Sequence, residues 1–142
     1  MEIVLDASVT LAWLVRRLDP IEERWADEVL GMIQTRGALV PALWFPEVVN
    51  GVLAAERRAG ASPATSASFM ALINTLPIVE DTMRPAAAQA RVLSLARTYE
   101  LTGYDATYLE LVLRTGRTLA TFDWQLAEAV HKAGGRVFGD AA

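Results

Sequence analysis

The 142-residue chain contains no cysteine and only one histidine, His131. The absence of cysteine excludes a disulfide scaffold, a thiol nucleophile and any zinc or iron–sulfur site with cysteine ligands. A serine hydrolase triad, or a metal site with several imidazole ligands, would have to rely on His131 alone. The sequence therefore leaves little room for thiol or imidazole chemistry.

A long apolar run is also absent, although the mean hydropathy of +0.26 is high for a soluble protein. The longest uncharged run, from Ala59 to Val79, contains Pro63 and Pro77 and does not have the character of a membrane span. The N-terminal segment has no basic region, and its apolar stretch is too short for a signal peptide. We therefore expect a cytoplasmic protein that makes no contact with a membrane.

Positive charge is scarce as well. The net charge is −4, and no basic tail or block is present, which counts against binding nucleic acid through a basic patch. Apolar residues make up 53% of the chain and charged residues 21%, a composition that excludes a disordered chain. The length predicts a single domain covering residues 1–142.

Short apolar runs alternate with longer amphipathic segments along the chain. The predicted strands are Glu2–Leu5, Ala38–Val40, Pro77–Val79, Thr118–Thr121 and Val137–Phe138. The predicted helices are Ser8–Arg17, Asp19–Thr35, Pro46–Arg58, a helix starting at Pro63, Pro85–Tyr99, Gly103–Arg114 and a helix starting at Asp123. This order predicts an α/β fold with a mainly parallel sheet of four to five short strands and helices on both faces.

Four acidic residues stand apart from the acids of solvated helix faces. Asp6 and Asp123 follow predicted strands, whereas Glu47 and Asp105 fall in the first turns of predicted helices. Sites in open α/β sheets lie beyond the carboxyl ends of the strands, so the four carboxylates are placed to converge on one crevice. The alternative for each acid is helix capping, since carboxylates near helix N-termini bind free N–H groups.

Small polar residues accompany three of these acids. Ser8 follows Asp6 closely, Thr121 precedes Asp123, and Asn50 lies one helical turn after Glu47. Such groups can hydrogen-bond a carboxylate or a bound water. Carboxylates gathered without a counter-ion repel one another, and no Lys or Arg is close in sequence to these four. A hard divalent cation, Mg²⁺ or Mn²⁺, is the natural ligand of such a site and can in turn bind phosphate.

These residues resemble the motifs of the PIN-domain family, and most of all those of VapC-type toxins from type II toxin–antitoxin pairs. The motifs are Ile3-Val4-Leu5-Asp6-Ala7-Ser8, Pro46-Glu47-Val48-Val49-Asn50, Leu101-Thr102-Gly103-Tyr104-Asp105-Ala106 and Leu119-Ala120-Thr121-Phe122-Asp123. Each motif alone is weakly specific, but four in the same order, spread over essentially the whole chain, are a strong signal.

The resemblance implies a three-layer α/β/α sandwich and an endoribonuclease that depends on Mg²⁺ or Mn²⁺. It also implies an RNA substrate, a cognate antitoxin that holds the enzyme inactive, and a homodimer. The family's metal-binding and catalytic acids carry over to Asp6, Glu47, Asp105 and Asp123. Its supporting hydroxyls carry over to Ser8 and Thr121, and its helix asparagine to Asn50.

Three alternatives remain beside this interpretation. A PIN-like scaffold that binds RNA or protein without cleaving it would leave the four acids unexplained. A phosphotransfer receiver domain fits poorly, because Asp6 has no acidic neighbour and the only lysine, Lys132, lies within a predicted helix. A haloacid-dehalogenase-type phosphatase needs Asp-x-Asp after the first strand, and Ser8 occupies the second position.

Overall fold

The computed structural model describes residues 2–140. Within that range, two helices separate each of the first three strands from the next, and one helix separates the last two strands. The strands are β1 (Ile3–Leu5), β2 (Ala38–Val40), β3 (Ile78–Glu80), β4 (Thr118–Ala120) and β5 (Arg136–Val137). The helices are α1 (Ala7–Ala12), α2 (Pro20–Arg36), α3 (Trp44–Arg58), α4 (Pro63–Thr75), α5 (Pro85–Tyr99), α6 (Gly103–Thr115) and α7 (Trp124–Lys132).

The strands form one sheet of five in the order β3-β2-β1-β4-β5, and every neighbouring pair is parallel. The order reverses direction beside β1, so β1 and β4 flank the topological switch point. In open α/β sheets this is where a crevice forms beyond the carboxyl ends of the strands. The prediction of an α/β fold with a parallel sheet is therefore confirmed.

Alternate residues of the strands pack into two separate cores. Ile3 and Leu5 of β1 face a core built with residues of α1 to α4, whereas Val4 faces a core built with residues of α6 and α7. Helix α5 adds Leu95 and Tyr99 at the edge of the second core. Both faces of the sheet are covered, which explains why β1 and β2 are apolar and buried along their whole length.

Two helix boundaries differ from the predicted ones by two residues or more, and the others that differ do so by one residue. Helix α1 ends at Ala12 rather than Arg17, because the chain leaves the helix through tighter bonds such as Leu14 N–H to the Leu11 carbonyl. Helix α3 begins at Trp44, two residues before Pro46. Proline is tolerated in a first helical turn, since the N–H it lacks there has no partner within the helix.

In the part of the chain that the structure describes, no helix is both long and apolar enough to cross a membrane. The longest helix, α2, has 17 residues and carries charged side chains in its first and last turns.

Candidate active site

The four predicted acids occupy different positions relative to the helices they begin. Asp6 directly follows β1 and is the N-cap residue of α1, but its side chain makes no capping bond. Asp123 caps α7, since its Oδ1 accepts hydrogen bonds from the N–H groups of Gln125 and Leu126 at 3.0 and 3.2 Å. Glu47 and Asp105 lie in the first turns of α3 and α6. The capping explanation therefore accounts for Asp123 and does not account for Asp6.

Asp6 is held by hydroxyl groups from the segments that follow β1 and β4. Its Oδ2 accepts hydrogen bonds from Ser8 Oγ at 2.7 Å and from Thr121 Oγ1 at 2.6 Å. The two hydroxyl oxygens in turn accept the backbone N–H groups of Phe122 at 3.0 Å and Asp123 at 2.9 Å. The segment after β4 is thus tied to the segment after β1, and the position of Asp6 is fixed by both.

The environment of Asp6 disfavours its negative charge. Only 8% of the residue is exposed. Burial raises the pKa of the carboxyl, the bonds from Thr121 and Ser8 oppose this effect, and the charge of Asp123 raises the pKa further. A nearby cation would offset both the energetic cost of burying the negative charge and the repulsion from Asp123.

Glu47 is oriented by a buried tyrosine that the sequence did not single out. Tyr108 Oη donates a hydrogen bond of 2.6 Å to Glu47 Oε1, and only 1% of Tyr108 is exposed. Burial raises the pKa of Glu47, the bond from Tyr108 opposes this, and the charges of Asp6 and Asp105 add to the rise. Burial and the neighbouring Asp6 also raise the pKa of the Tyr108 hydroxyl, which therefore remains a proton donor.

A sequence signal for Tyr108 did exist. It lies three residues after Asp105 on α6, so the two side chains share a helix face. If Asp105 points into the crevice, a residue on the same helix face is expected to point there as well. What the spacing cannot give is its partner on α3, because that depends on how two distant helices pack.

Asp105 is a third carboxyl of the site whose pKa is raised. Burial, followed by the charges of Asp123 and Asp6, raises its pKa from 3.8 to about 6. Its backbone N–H is bound by Thr102 Oγ1 at 3.1 Å, which caps α6 and leaves the carboxylate out of the cap. Asp105 is therefore an acid whose position serves no capping function.

No positive side chain within residues 2–140 forms an ion pair with any of the four acids. Neighbouring carboxylates nonetheless raise the pKa of three of the four: Asp123 acts on Asp6, Asp6 and Asp105 act on Glu47, and Asp123 and Asp6 act on Asp105. In the same range, no group of three or more His, Asp and Glu side chains stands in an arrangement that could hold a metal ion. The charges converge on one region, while the carboxylate oxygens are not drawn together around a single point.

The PIN domain family model matches residues 3–132 of the sequence. The chain belongs to the PIN-domain family. The match spans all four acids. A PIN domain is a nuclease-type fold, and PIN nucleases typically act on nucleic acid with the help of divalent metal ions.

A solved structure agrees with this PIN fold. The crystal structure of PAE2754 from Pyrobaculum aerophilum superposes on the chain with a TM-score of 0.64 at 23% sequence identity. The superposition covers 91% of this chain and 79% of that chain. At this identity the likeness concerns the fold alone. No curated protein sequence matches the chain.

The supporting polar residues of this PIN domain fall into two groups. Ser8 and Thr121 bind Asp6, as described above. Asn50 is exposed on α3, and within the described residues its side chain forms no hydrogen bond with Glu47. Tyr108 holds Glu47 instead, so a supporting role for Asn50 remains a prediction.

Proposed function

We propose that this PIN domain is an endoribonuclease that depends on Mg²⁺ or Mn²⁺ and serves as the toxin of a toxin–antitoxin pair in the cytoplasm. One observation carries the nuclease part. Four carboxylates from four elements influence one another beyond the carboxyl ends of β1 and β4, and no Lys or Arg of residues 2–140 is paired with them. A cation from outside the chain would balance that charge at neutral pH.

The donor set fits a hard divalent cation. Carboxylate oxygens are the side-chain ligands that Mg²⁺ and Mn²⁺ prefer, and the region offers no sulfur or imidazole ligand. Asp6, Asp105 and Asp123 are the proposed direct or water-mediated ligands, with Glu47 as a further ligand or a base. A cation replaces the mutual repulsion of these groups with attraction, so we expect their oxygens to move closer together when it binds.

When bound, the cation supplies charge stabilisation at the phosphodiester and makes water a nucleophile at neutral pH. The chain's own residues position the reacting groups. Ser8 and Thr121 fix the Asp6 carboxylate by two short hydrogen bonds. Tyr108 leaves one oxygen of Glu47 free to orient a water or accept its proton. Attack of water on the phosphorus, with the 3′ oxygen as the leaving group, gives one product with a 5′-phosphate and one with a 3′-hydroxyl.

The toxin role, the antitoxin and the homodimer rest on the resemblance to VapC-type toxins. The four motifs occur in the expected order, and none of the four acids is missing. This completeness supports an active enzyme over the alternative of a PIN-like scaffold that binds RNA or protein without cleaving it.

Cleavage of total cellular RNA by the purified protein tests the proposal. We expect discrete fragments with Mg²⁺ or Mn²⁺ and none with EDTA. Asp105→Asn should abolish cleavage, whereas Asp27→Asn, which removes the same charge from the exposed face of α2, should not. If the folded protein, freed of any bound antitoxin, cleaves no RNA under these conditions, the scaffold alternative is favoured. Equal cleavage by wild type and Asp105→Asn would show that the assigned site is wrong.

A further inference from the structure

A cavity of about 560 Å³ lies between α5, α6 and the segment after β2. Most of its wall is apolar, including Pro41, Leu43, Met83, Val92 and Leu111. Tyr104 also lines it, and 66% of Tyr104 is exposed. An aromatic residue this exposed at the rim of an apolar cavity offers a flat face to a ligand. We call this space the Tyr104 cavity.

The Tyr104 cavity lies next to the backbone that carries two of the four acids. Thr102, Gly103 and Tyr104 line it and directly precede Asp105 in the chain. On the other side, Leu43 lines it, and the Leu43 carbonyl accepts the backbone N–H of Glu47 at 3.2 Å. None of the four acids lines the cavity itself, so a ligand there would neighbour the candidate active site without filling it.

The charges of the lining select the kind of ligand. Asp81 and Glu110 line the cavity, and no Lys or Arg does so among the described residues. Both acids are paired with arginines: Arg114 lies 2.5 Å from Asp81 and 2.8 Å from Glu110, and Arg91 lies 3.1 Å from Glu110. A phosphate would find no cation in the lining to pair with. A neutral, flat group would meet an aromatic face and apolar walls and would leave these ion pairs in place.

We infer that the Tyr104 cavity binds an unstacked base of the RNA substrate, next to the phosphodiester that is cleaved. The inference rests on the proposed function for its substrate, and on the cavity for its location. Proteins recognise single-stranded RNA by stacking splayed bases on aromatic side chains and by hydrogen-bonding the edges of those bases. Here Tyr104 supplies the stacking face, and the apolar walls of the cavity enclose the ring of the base.

Titration with free nucleosides tests the cavity without needing cleavage or metal. Adenosine, guanosine, cytidine and uridine are added separately in EDTA, and amide chemical shifts are followed by nuclear magnetic resonance. We expect saturable shifts at Gly103, Tyr104 and Thr107 with roughly millimolar dissociation constants for at least one nucleoside. The corresponding 5′-monophosphate should bind no more tightly, because no Lys or Arg lines the cavity to pair with its phosphate.

Matched variants separate the cavity from its surroundings. Ala86 lines the cavity and Ala87 does not, while both are exposed on α5. Ala86→Phe should remove the nucleoside shifts, and Ala87→Phe should keep them. Tyr104→Ala should weaken binding about tenfold or more, whereas Tyr104→Phe should retain it because the stacking face is kept.

Cleavage provides a second readout that distinguishes the two proposals. Trp124 is 70% exposed and follows Asp123, but it lines a different pocket. With RNA and Mn²⁺, Tyr104→Ala should lower kcat/KM about tenfold or more and Trp124→Ala should not. If the wild type cleaves RNA and Tyr104→Ala and Trp124→Ala have the same kcat/KM, the base site is wrong while the proposed nuclease activity stands. If no RNA is cleaved, the nucleoside titration still decides the base site.

Two further results would overturn the inference. One is the absence of saturable shifts with all four nucleosides. The other is a change of oligomeric state, measured by light scattering, in which Ala86→Phe lowers the mass of the wild-type assembly and Ala87→Phe does not. That result would show that a second copy of the chain covers the Tyr104 cavity.

Discussion

At the residue scale, the negative charge of Asp105 destabilises the folded state of the metal-free protein. Its pKa is raised from 3.8 to about 6 in the folded state, so folding favours the protonated form. The stability that protonated Asp105 contributes to the folded state is fully present below pH 3.8 and is lost as the pH rises through about 6. At neutral pH the charged carboxylate therefore opposes folding unless a cation binds.

Asp105→Asn is accordingly expected to stabilise the metal-free protein at pH 7.5. The gain should be about 1 kcal/mol, because solvent screens part of the effect at a half-buried group. Thermal unfolding in EDTA at pH 7.5 and pH 4 measures it, with a higher Tm for the variant at pH 7.5 and a much smaller difference at pH 4. A variant less stable than wild type at pH 7.5 would contradict the assigned environment of Asp105.

Tyr108 is the second residue whose role can be isolated. Tyr108→Phe removes the bond to Glu47 and keeps the buried ring, so the fold should lose about 1 kcal/mol. Because Glu47 is then free to turn away, we expect the RNA cleavage rate to fall about tenfold. Tyr99→Phe, on α5 at the edge of the second core, is the control. Unchanged cleavage by Tyr108→Phe would show that Glu47 needs no positioning.

At the element scale, Asp123 caps the N-terminus of α7 and is also one of the proposed cation ligands. Asp123 accepts two backbone N–H bonds there, and asparagine caps a helix about as well as aspartate. Asp123→Asn should therefore keep its stability and lose cleavage, whereas Asp123→Ala should lose cleavage and about 1 kcal/mol of stability. Thermal unfolding and RNA cleavage of the two variants measure these effects.

Asp19 gives the matched control for this prediction. It caps α2 through a bond of 2.8 Å from the Ile21 N–H and is not one of the four acids. Asp19→Ala should lower the Tm with cleavage unchanged. If Asp123→Asn cleaves RNA as well as wild type does, Asp123 is a capping residue only.

The elements themselves could be predicted well from the sequence, since buried parallel strands and capped helices leave strong local patterns. The convergence of Asp6 and Asp123 followed from their positions after strands. The short α1 could not be predicted, because tight turns after Leu11 are set by packing against α3 rather than by propensity. The pairing of Glu47 with Tyr108 was missed for a similar reason: it depends on the register between α3 and α6.

At the scale of the whole molecule, the sheet order places β1 and β4 at its centre, and both lead directly into the candidate site. Asp6 and Thr121 are linked across 115 positions of the chain by a hydrogen bond of 2.6 Å. The site is therefore built from residues that the buried core of the sheet already holds in place. The Tyr104 cavity, in contrast, lies among helices and loops, and the local sequence gave no sign of it.

The central claim is that the four acids form one cation site, and titration of the metal-free protein with Mn²⁺ tests it most directly. Isothermal titration calorimetry compares wild type with Asp6→Asn, Asp105→Asn and the surface control Asp27→Asn. We predict saturable binding by wild type and Asp27→Asn, and binding at least about tenfold weaker in each of the two site variants. Equal affinity for Mn²⁺ in all four proteins, or no binding by the folded wild type, would contradict the claim.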